Sequence, residues 1–310
     1  MGANGRFVMS AVSIVITSRP KSRQSDTKQL LASISDQVSK NFEVVYVTEN
    51  ALTYQCVATE ARKLGLRVKL IRNDSLPGLS EARNIGALNA SGEFIAFVDD
   101  DVIVSPDWTR VVEDSFHVNK RIMGITGPAV PLWMNDPANW LPKEFDWLIG
   151  CTRWFQSSKM VEVRNCWGMN MAFRRSVFET VGGFSPRTGY HRGTLAEDVE
   201  FSFRAKFKAG GILVYVPDLK VLSKVYPYRL SQQFVMERSR WIGHTRREIR
   251  RKDNLLGFSF EKMVLFSAVL GVLRGEFLGG VVDVSELIQC CRTLALSCVS
   301  LVAGYFLGPL

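Results

Sequence analysis

The chain has 310 residues, 46% of them hydrophobic, and a formal net charge of +9 at neutral pH. That length and apolar content allow one large domain plus an appendage and exclude a disordered or collagen-like chain. The basic balance points to an anionic partner or surface; with no zinc-finger spacing or RNA-binding signature, a nucleic-acid polymer is not expected.

The chain opens on polar residues, Met1 to Arg6, without a signal-peptide core. Val12 to Thr17 is an apolar, β-branched run and reads as a strand, followed by Ser18-Arg19-Pro20. Leu30, Leu31, Ile34 and Val38 then fall near helical spacing. Phe42 to Val47 reads as a second strand, ending in Thr48-Glu49-Asn50, and Ala58 to Leu64 as a helix stopped by Gly65. Val68 to Ile71 is a third strand and Glu81 to Leu88 a helix. The fourth strand, Phe94 to Val98, runs directly into Asp99-Asp100-Asp101. Alternating strands and helices predict an α/β fold with a doubly wound, mainly parallel sheet. On an extended backbone Asp99 and Asp101 point the same way. Two carboxylates at the C-terminal end of a buried strand suit a hard divalent cation that also holds phosphate oxygens. The plainer alternative is a solvated acidic turn.

Further on, Trp133, Trp140, Trp147 and Trp154 recur every seven residues, but Pro131, Pro137 and Pro142 break any coiled coil. Asn165-Cys166-Trp167-Gly168-Met169-Asn170 precedes the turn Val181-Gly182-Gly183-Phe184. Glu197-Asp198 then opens a helix with acids in its first turn, where the helix dipole favours them. His191 lies just before it, in a Gly/Tyr/Arg-rich loop with Arg187 and Arg192 on either side. Ile212 to Val216 is the last predicted strand, and Tyr226 to Arg247 a helix. The run Arg246 to Lys252 is polybasic. Met263 to Leu273 is apolar but short, and Thr293 to Leu310 carries no charge and has about the length of a membrane span. Six cysteines without a C-x-x-C pair read as reduced thiols.

From Gly78 to Val102, with Gly78-Leu79-Ser80-Glu81-Ala82-Arg83-Asn84 ahead of the acidic triplet, the chain resembles the family 2 glycosyltransferases of the GT-A fold. That resemblance implies Mn2+ or Mg2+ on Asp99 and Asp101, with His191 as a further candidate ligand. It also implies a nucleotide-sugar donor against Thr17, Glu49, Arg83, Asp99 and Asp100. Glu49 stands where an Asp is usual, and Arg83 either pairs with phosphate or braces an acid. Gly168 and Asn170 resemble the family's sugar-pocket floor, and Glu197-Asp198 its Glu-Asp dipeptide. Asp198 is thereby the expected general base of an inverting transfer.

Glu237-Arg238-Ser239-Arg240-Trp241 resembles the Gln-x-x-Arg-Trp motif of cellulose-synthase-like members. This implies Arg240 at the diphosphate and Trp241 at the acceptor. The expected organisation is a catalytic domain over 1–225, an interface helix over 226–253 and hydrophobic membrane helices over 254–310. The expected activity is transfer of a hexose, first mannose from GDP-mannose, to a polyprenyl or dolichyl phosphate or a lipid-linked glycan. The expected location is the cell membrane, with the catalytic domain cytoplasmic. The alternatives are a UDP-sugar transferase of cell-surface polysaccharide synthesis and an inactive nucleotide-sugar-binding scaffold.

Overall fold

The computed structural model describes residues 10–18, 22–74, 77–137, 141, 143–186, 197–253 and 284–307. Eleven strands and eight helices are found among them. The strands are β1 (Val12–Ser18), β2 (Phe42–Thr48), β3 (Val68–Arg72), β4 (Phe94–Asp99), β5 (Val102–Val104), β6 (Ile122–Thr126), β7 (Ala129–Trp133), β8 (Val161–Glu162), β9 (Asn170–Arg174), β10 (Ile212–Tyr215) and β11 (Val221–Val225). The helices are α1 (Gln24–Ser35), α2 (Ala51–Lys63), α3 (Leu79–Asn89), α4 (Trp108–Val118), α5 (Arg175–Val181), α6 (Glu197–Ala209), α7 (Gln232–Asp253) and α8 (Val284–Leu307).

The main sheet runs β3-β2-β1-β4-β9-β6-β10-β8. Its first four strands are parallel, with Thr17 paired to Asp99 at the ends of β1 and β4. These strands formed where the sequence placed them because β1 is buried along its whole length and β4 up to its last residue. A strand buried on both faces needs continuous apolar side chains, and that signal is local. β9 then enters antiparallel to both β4 and β6, so the sheet is mixed beyond β4. A second sheet, β5-β11-β7, has no counterpart among the predicted elements.

Helix α2 begins at Ala51, earlier than expected, because the Asn50 side chain accepts hydrogen bonds from Leu52 N and Thr53 N. The expected helix from Tyr226 begins with a 3-10 turn, Pro227–Leu230, before α7. β11 is tied to α1 by a buried ion pair: Lys224 Nζ lies 3.0 Å from Asp26 Oδ1, which also accepts the Tyr226 hydroxyl at 2.7 Å. Of the cysteines, Cys56, Cys151, Cys166, Cys291 and Cys298 are free.

Helix α8 lies along α7. A Cβ at Gly243 would sit 1.9 Å from the Leu301 carbonyl oxygen, and one at Gly304 1.8 Å from that of Arg240. Only glycine permits this backbone-to-backbone approach. Among the described residues no helix is long and apolar enough to cross a membrane. The span expected from Thr293 therefore falls in a helix that buries Thr293, Ser297, Ser300 and Gly304, and exposes Val299, Val302, Phe306 and Leu307. Met263 to Leu273 lies outside the described residues.

Candidate active site

Two adjoining cavities open at the C-terminal ends of β1 and β4. This is the switch point of the strand order, where open α/β sheets bind ligands. The larger, about 710 Å³, is walled by Thr17, Arg23, Asp26, Asp99, Asp100, Asp101, Arg229 and Arg238. The smaller, about 320 Å³, is walled by Arg83, Asp99, Gly168, Glu197 and Asp198, by the aromatic residues Trp147, Trp154, Phe155 and Trp167, and by Arg164, Arg238, Ile242 and Arg246.

Arg83 joins the two acidic motifs. It projects from α3, is 2% exposed, and donates to Asp99 at 3.2 Å, to the Gly168 carbonyl at 3.1 Å and to Glu197. Burial works against its charge, but Glu197, Asp99 and Asp198 together hold its pKa above the usual value. Of the two roles open to Arg83, the geometry gives bracing. Gly168 is needed here because a Cβ would approach the Arg83 guanidinium to 2.8 Å. Its neighbour Asn84 works in the same way, exchanging two hydrogen bonds with the Phe184 backbone. The Ala-Arg-Asn segment thus clamps the acidic motifs and the Gly-Gly-Phe turn to one helix.

Asp198, in the first turn of α6, accepts from Gly168 N at 2.7 Å and Val199 N at 2.8 Å. Burial, then the neighbouring Glu197, push its pKa up to about 6, against the pull of Arg83 and the two N–H groups. A carboxylate tuned toward neutrality at a cavity wall fits a general base.

The acidic triplet differs from its extended reading. β4 stops at Asp99, and Asp100 and Asp101 lie in a turn, yet all three line the larger cavity. Asp101 is ion-paired to Arg229, whose Nη1 also donates to the Ile149 carbonyl at 3.2 Å. Among the described residues no three His, Cys, Asp or Glu side chains converge as a complete metal cage. Two carboxylates on one cavity wall instead fit a cation whose remaining ligands are substrate phosphate oxygens and water.

Four of the expected contact residues lie away from the two cavities' walls. Asn170 is fully buried; its amide oxygen accepts from Trp108 Nε1 at 2.9 Å and its nitrogen donates to the Leu219 carbonyl at 2.6 Å, so it ties β9 to its neighbours. Glu49 lines neither cavity and accepts from Gly78 N at 2.7 Å, fixing the start of α3. Arg240 and Trp241 also line neither cavity, because α7 turns Arg238, Ile242 and Arg246 inward, four residues apart on one face. Arg238 and Arg246 were thus missed, although their spacing about Ile242 was legible. Arg229 had no sequence signal, since its meeting with Asp101 spans 128 positions. His191, Arg187 and Arg192 lie outside the described residues.

A mainly parallel α/β sheet with two cavities meeting at paired acidic motifs is the arrangement of a GT-A glycosyltransferase. Residues 13–182 match glycosyl transferase family 2, and residues 147–302 match glycosyl transferase family 21. The chain belongs to glycosyl transferase family 2.

It is 29% identical over 239 residues to a glucosyl-dolichyl phosphate glucuronosyltransferase of Haloferax volcanii, covering 76% of each chain. It is 31% identical over 176 residues to the succinoglycan biosynthesis protein ExoM of Rhizobium meliloti, covering 54% of this chain and 51% of that one. The chain thus spans about half of this second relative. In fold it is similar to the mannosyltransferase PcManGT from Pyrobaculum calidifontis, solved in complex with GDP-Man and Mn2+. The TM-score is 0.63 at 14% identity, over 96% of this chain and 87% of that one. It is also similar to GalNAc-T7 with UDP, GalNAc and Mn2+, with a TM-score of 0.57 at 18% identity, over 93% of this chain and 55% of that one.

Proposed function

We propose that the protein is an inverting glycosyltransferase that moves one sugar from a nucleotide-sugar to a dolichyl- or polyprenyl-phosphate-linked acceptor. The observation that carries this reading is Arg83, which binds Asp99 of one acidic motif while its partner Glu197 adjoins Asp198 of the other. Asp99, Asp100 and Asp101 line the larger cavity, which takes the nucleotide diphosphate. Asp99 and Asp101 would hold Mn2+ or Mg2+, which when bound supplies positive charge to the leaving diphosphate. Arg238, on the wall of both cavities, adds a fixed cation at the junction. Asp198 takes the proton of the attacking hydroxyl in the smaller cavity.

The similarity to a glucosyl-dolichyl phosphate glucuronosyltransferase supports a lipid-linked acceptor and favours an activated glucuronate as donor. GDP-mannose, the donor expected from the sequence, has support from a fold neighbour alone.

The protein attaches to the cytoplasmic face of the cell membrane through α8. That helix buries small and hydroxyl side chains against α7 and turns Val299, Val302 and Phe306 outward, an arrangement suited to a lipid environment. The test is a nucleotide-release screen with Mn2+ over UDP-glucuronate, GDP-mannose and UDP-glucose, with and without glucosyl polyprenyl phosphate. Release that needs one donor and the lipid together is expected. Release indifferent to lipid would replace the acceptor with a soluble saccharide, and nucleotide binding with no release under any pair would favour the scaffold.

A further inference from the structure

The geometry points to an acceptor that is a phosphate-bearing sugar, not a bare lipid phosphate, with Arg246 as its phosphate subsite. This rests on the transfer reading above and adds to it the chemical class of the acceptor head.

The first observation is spacing. Arg238 lines both cavities and so marks the point of transfer. α7 runs unbroken from Gln232 to Asp253, so Arg246 stands eight residues further along, about 12 Å at 1.5 Å per residue. Both line the smaller cavity, and between them on the same face lies Ile242. Trp154, Phe155 and Trp167 form another part of that cavity's wall, as an edge-to-face cluster with centroids 5.4 to 5.8 Å apart. Arg164 lines it as well. The cavity therefore offers an apolar, aromatic middle suited to the face of a sugar ring, with a second cation about 12 Å along the helix, a span that takes one ring together with the phosphate contacts at its two ends. Its volume of about 320 Å³ is at the low end for ligand pockets, which suits one residue of glycan.

The second observation is the base. A lipid phosphate is largely ionised at neutral pH, its second pKa being about 6. As a nucleophile it needs no proton removed. A sugar hydroxyl does, and Asp198 is positioned and tuned to remove one. The hydroxyl gives its proton to Asp198 and its oxygen bonds to the donor's anomeric carbon. The bond from that carbon to the nucleotide diphosphate breaks, and the diphosphate departs with the electron pair.

The test is acceptor binding by quenching of tryptophan fluorescence, with glucosyl polyprenyl phosphate, glucose 1-phosphate, octyl glucoside and bare polyprenyl phosphate as probes. Wild type should bind glucosyl polyprenyl phosphate about 10- to 100-fold more tightly than octyl glucoside, the range for a charge-assisted contact. Arg246→Gln should erase that advantage and leave octyl glucoside and donor binding unchanged. Arg246→Lys should restore part of it, which also establishes that the position tolerates substitution. Tight binding of glucose 1-phosphate would assign the same subsite to a soluble sugar phosphate. Full affinity in Arg246→Gln, or bare polyprenyl phosphate binding as well as its glucosylated form, would overturn the proposal. If donor binds but none of the four probes does, the lipid-linked reading itself falls.

Discussion

The two acidic walls of the site handle their charge in opposite ways. Asp99 and Asp101 each face an arginine, Arg83 and Arg229, so their negative charge is matched by cations. Asp198 is buried and lies beside another acid, which together disfavour its ionised form against the opposing pull of Arg83 and two backbone N–H groups. One wall sets its carboxylates against cations; the other is arranged to exchange a proton. Arg83 keeps the two apart electrostatically while fixing them in one frame.

The largest effect should come from the proton-exchanging wall. Asp198→Asn is expected to lower transfer about 100- to 10,000-fold while leaving nucleotide affinity intact, measured by radiolabelled transfer and by nucleotide titration. Equal loss of donor binding would merge the two walls into one. Arg83→Met should cost about 3–5 kcal/mol of stability, because it strands Glu197, 5% exposed, without its cation; urea denaturation reads this directly. Asp101→Asn should weaken metal-dependent nucleotide binding by about 10-fold or more, seen as loss of the difference between titrations with and without Mn2+. Gly168→Ala should cost about 1–3 kcal/mol, since its Cβ meets a guanidinium already pinned by three partners.

The smallest effect is on pH. Transfer should fall as pH drops through about 6, as the Asp198 carboxylate is protonated in the substrate-free protein. Stability should move the other way. The folded-state pKa of Asp198 lies above the ordinary carboxylate value, so the folded protein binds the extra proton and this residue's contribution is lost as pH rises from about 4 to about 6. Asp198→Asn should therefore flatten that part of the stability profile and raise the melting temperature at pH 8.

What the sequence made legible divides along the same physical lines. β1 to β4 and the acidic triplet were readable because burial on both faces demands a local apolar run, and the run ended in acids. Asp198 was readable as a helix-opening acid in a resembling motif. The second sheet was not, since β11 pairs with β7 and β5, strands about 90 to 120 positions earlier, and its buried Lys224 reads as a surface residue. The structural part played by Asn170 was not legible, because its partners, Trp108 and Leu219, are distant in the chain. Arg240 and Trp241 were favoured by motif, but the rotation of α7 about its own axis decides which side chains meet a ligand. The face that α7 gives to α8 is marked by the close approaches at Gly243 and Gly304.

The glycine contact between α7 and α8 makes those two helices a single exchangeable part. With Gly243 and Gly304 pressed against each other's helix backbones, neither helix can be swapped for a relative's without shifting the phase of the arginines on α7. An acceptor preference transplanted between family members should follow when the two helices move together, and should be lost when either moves alone.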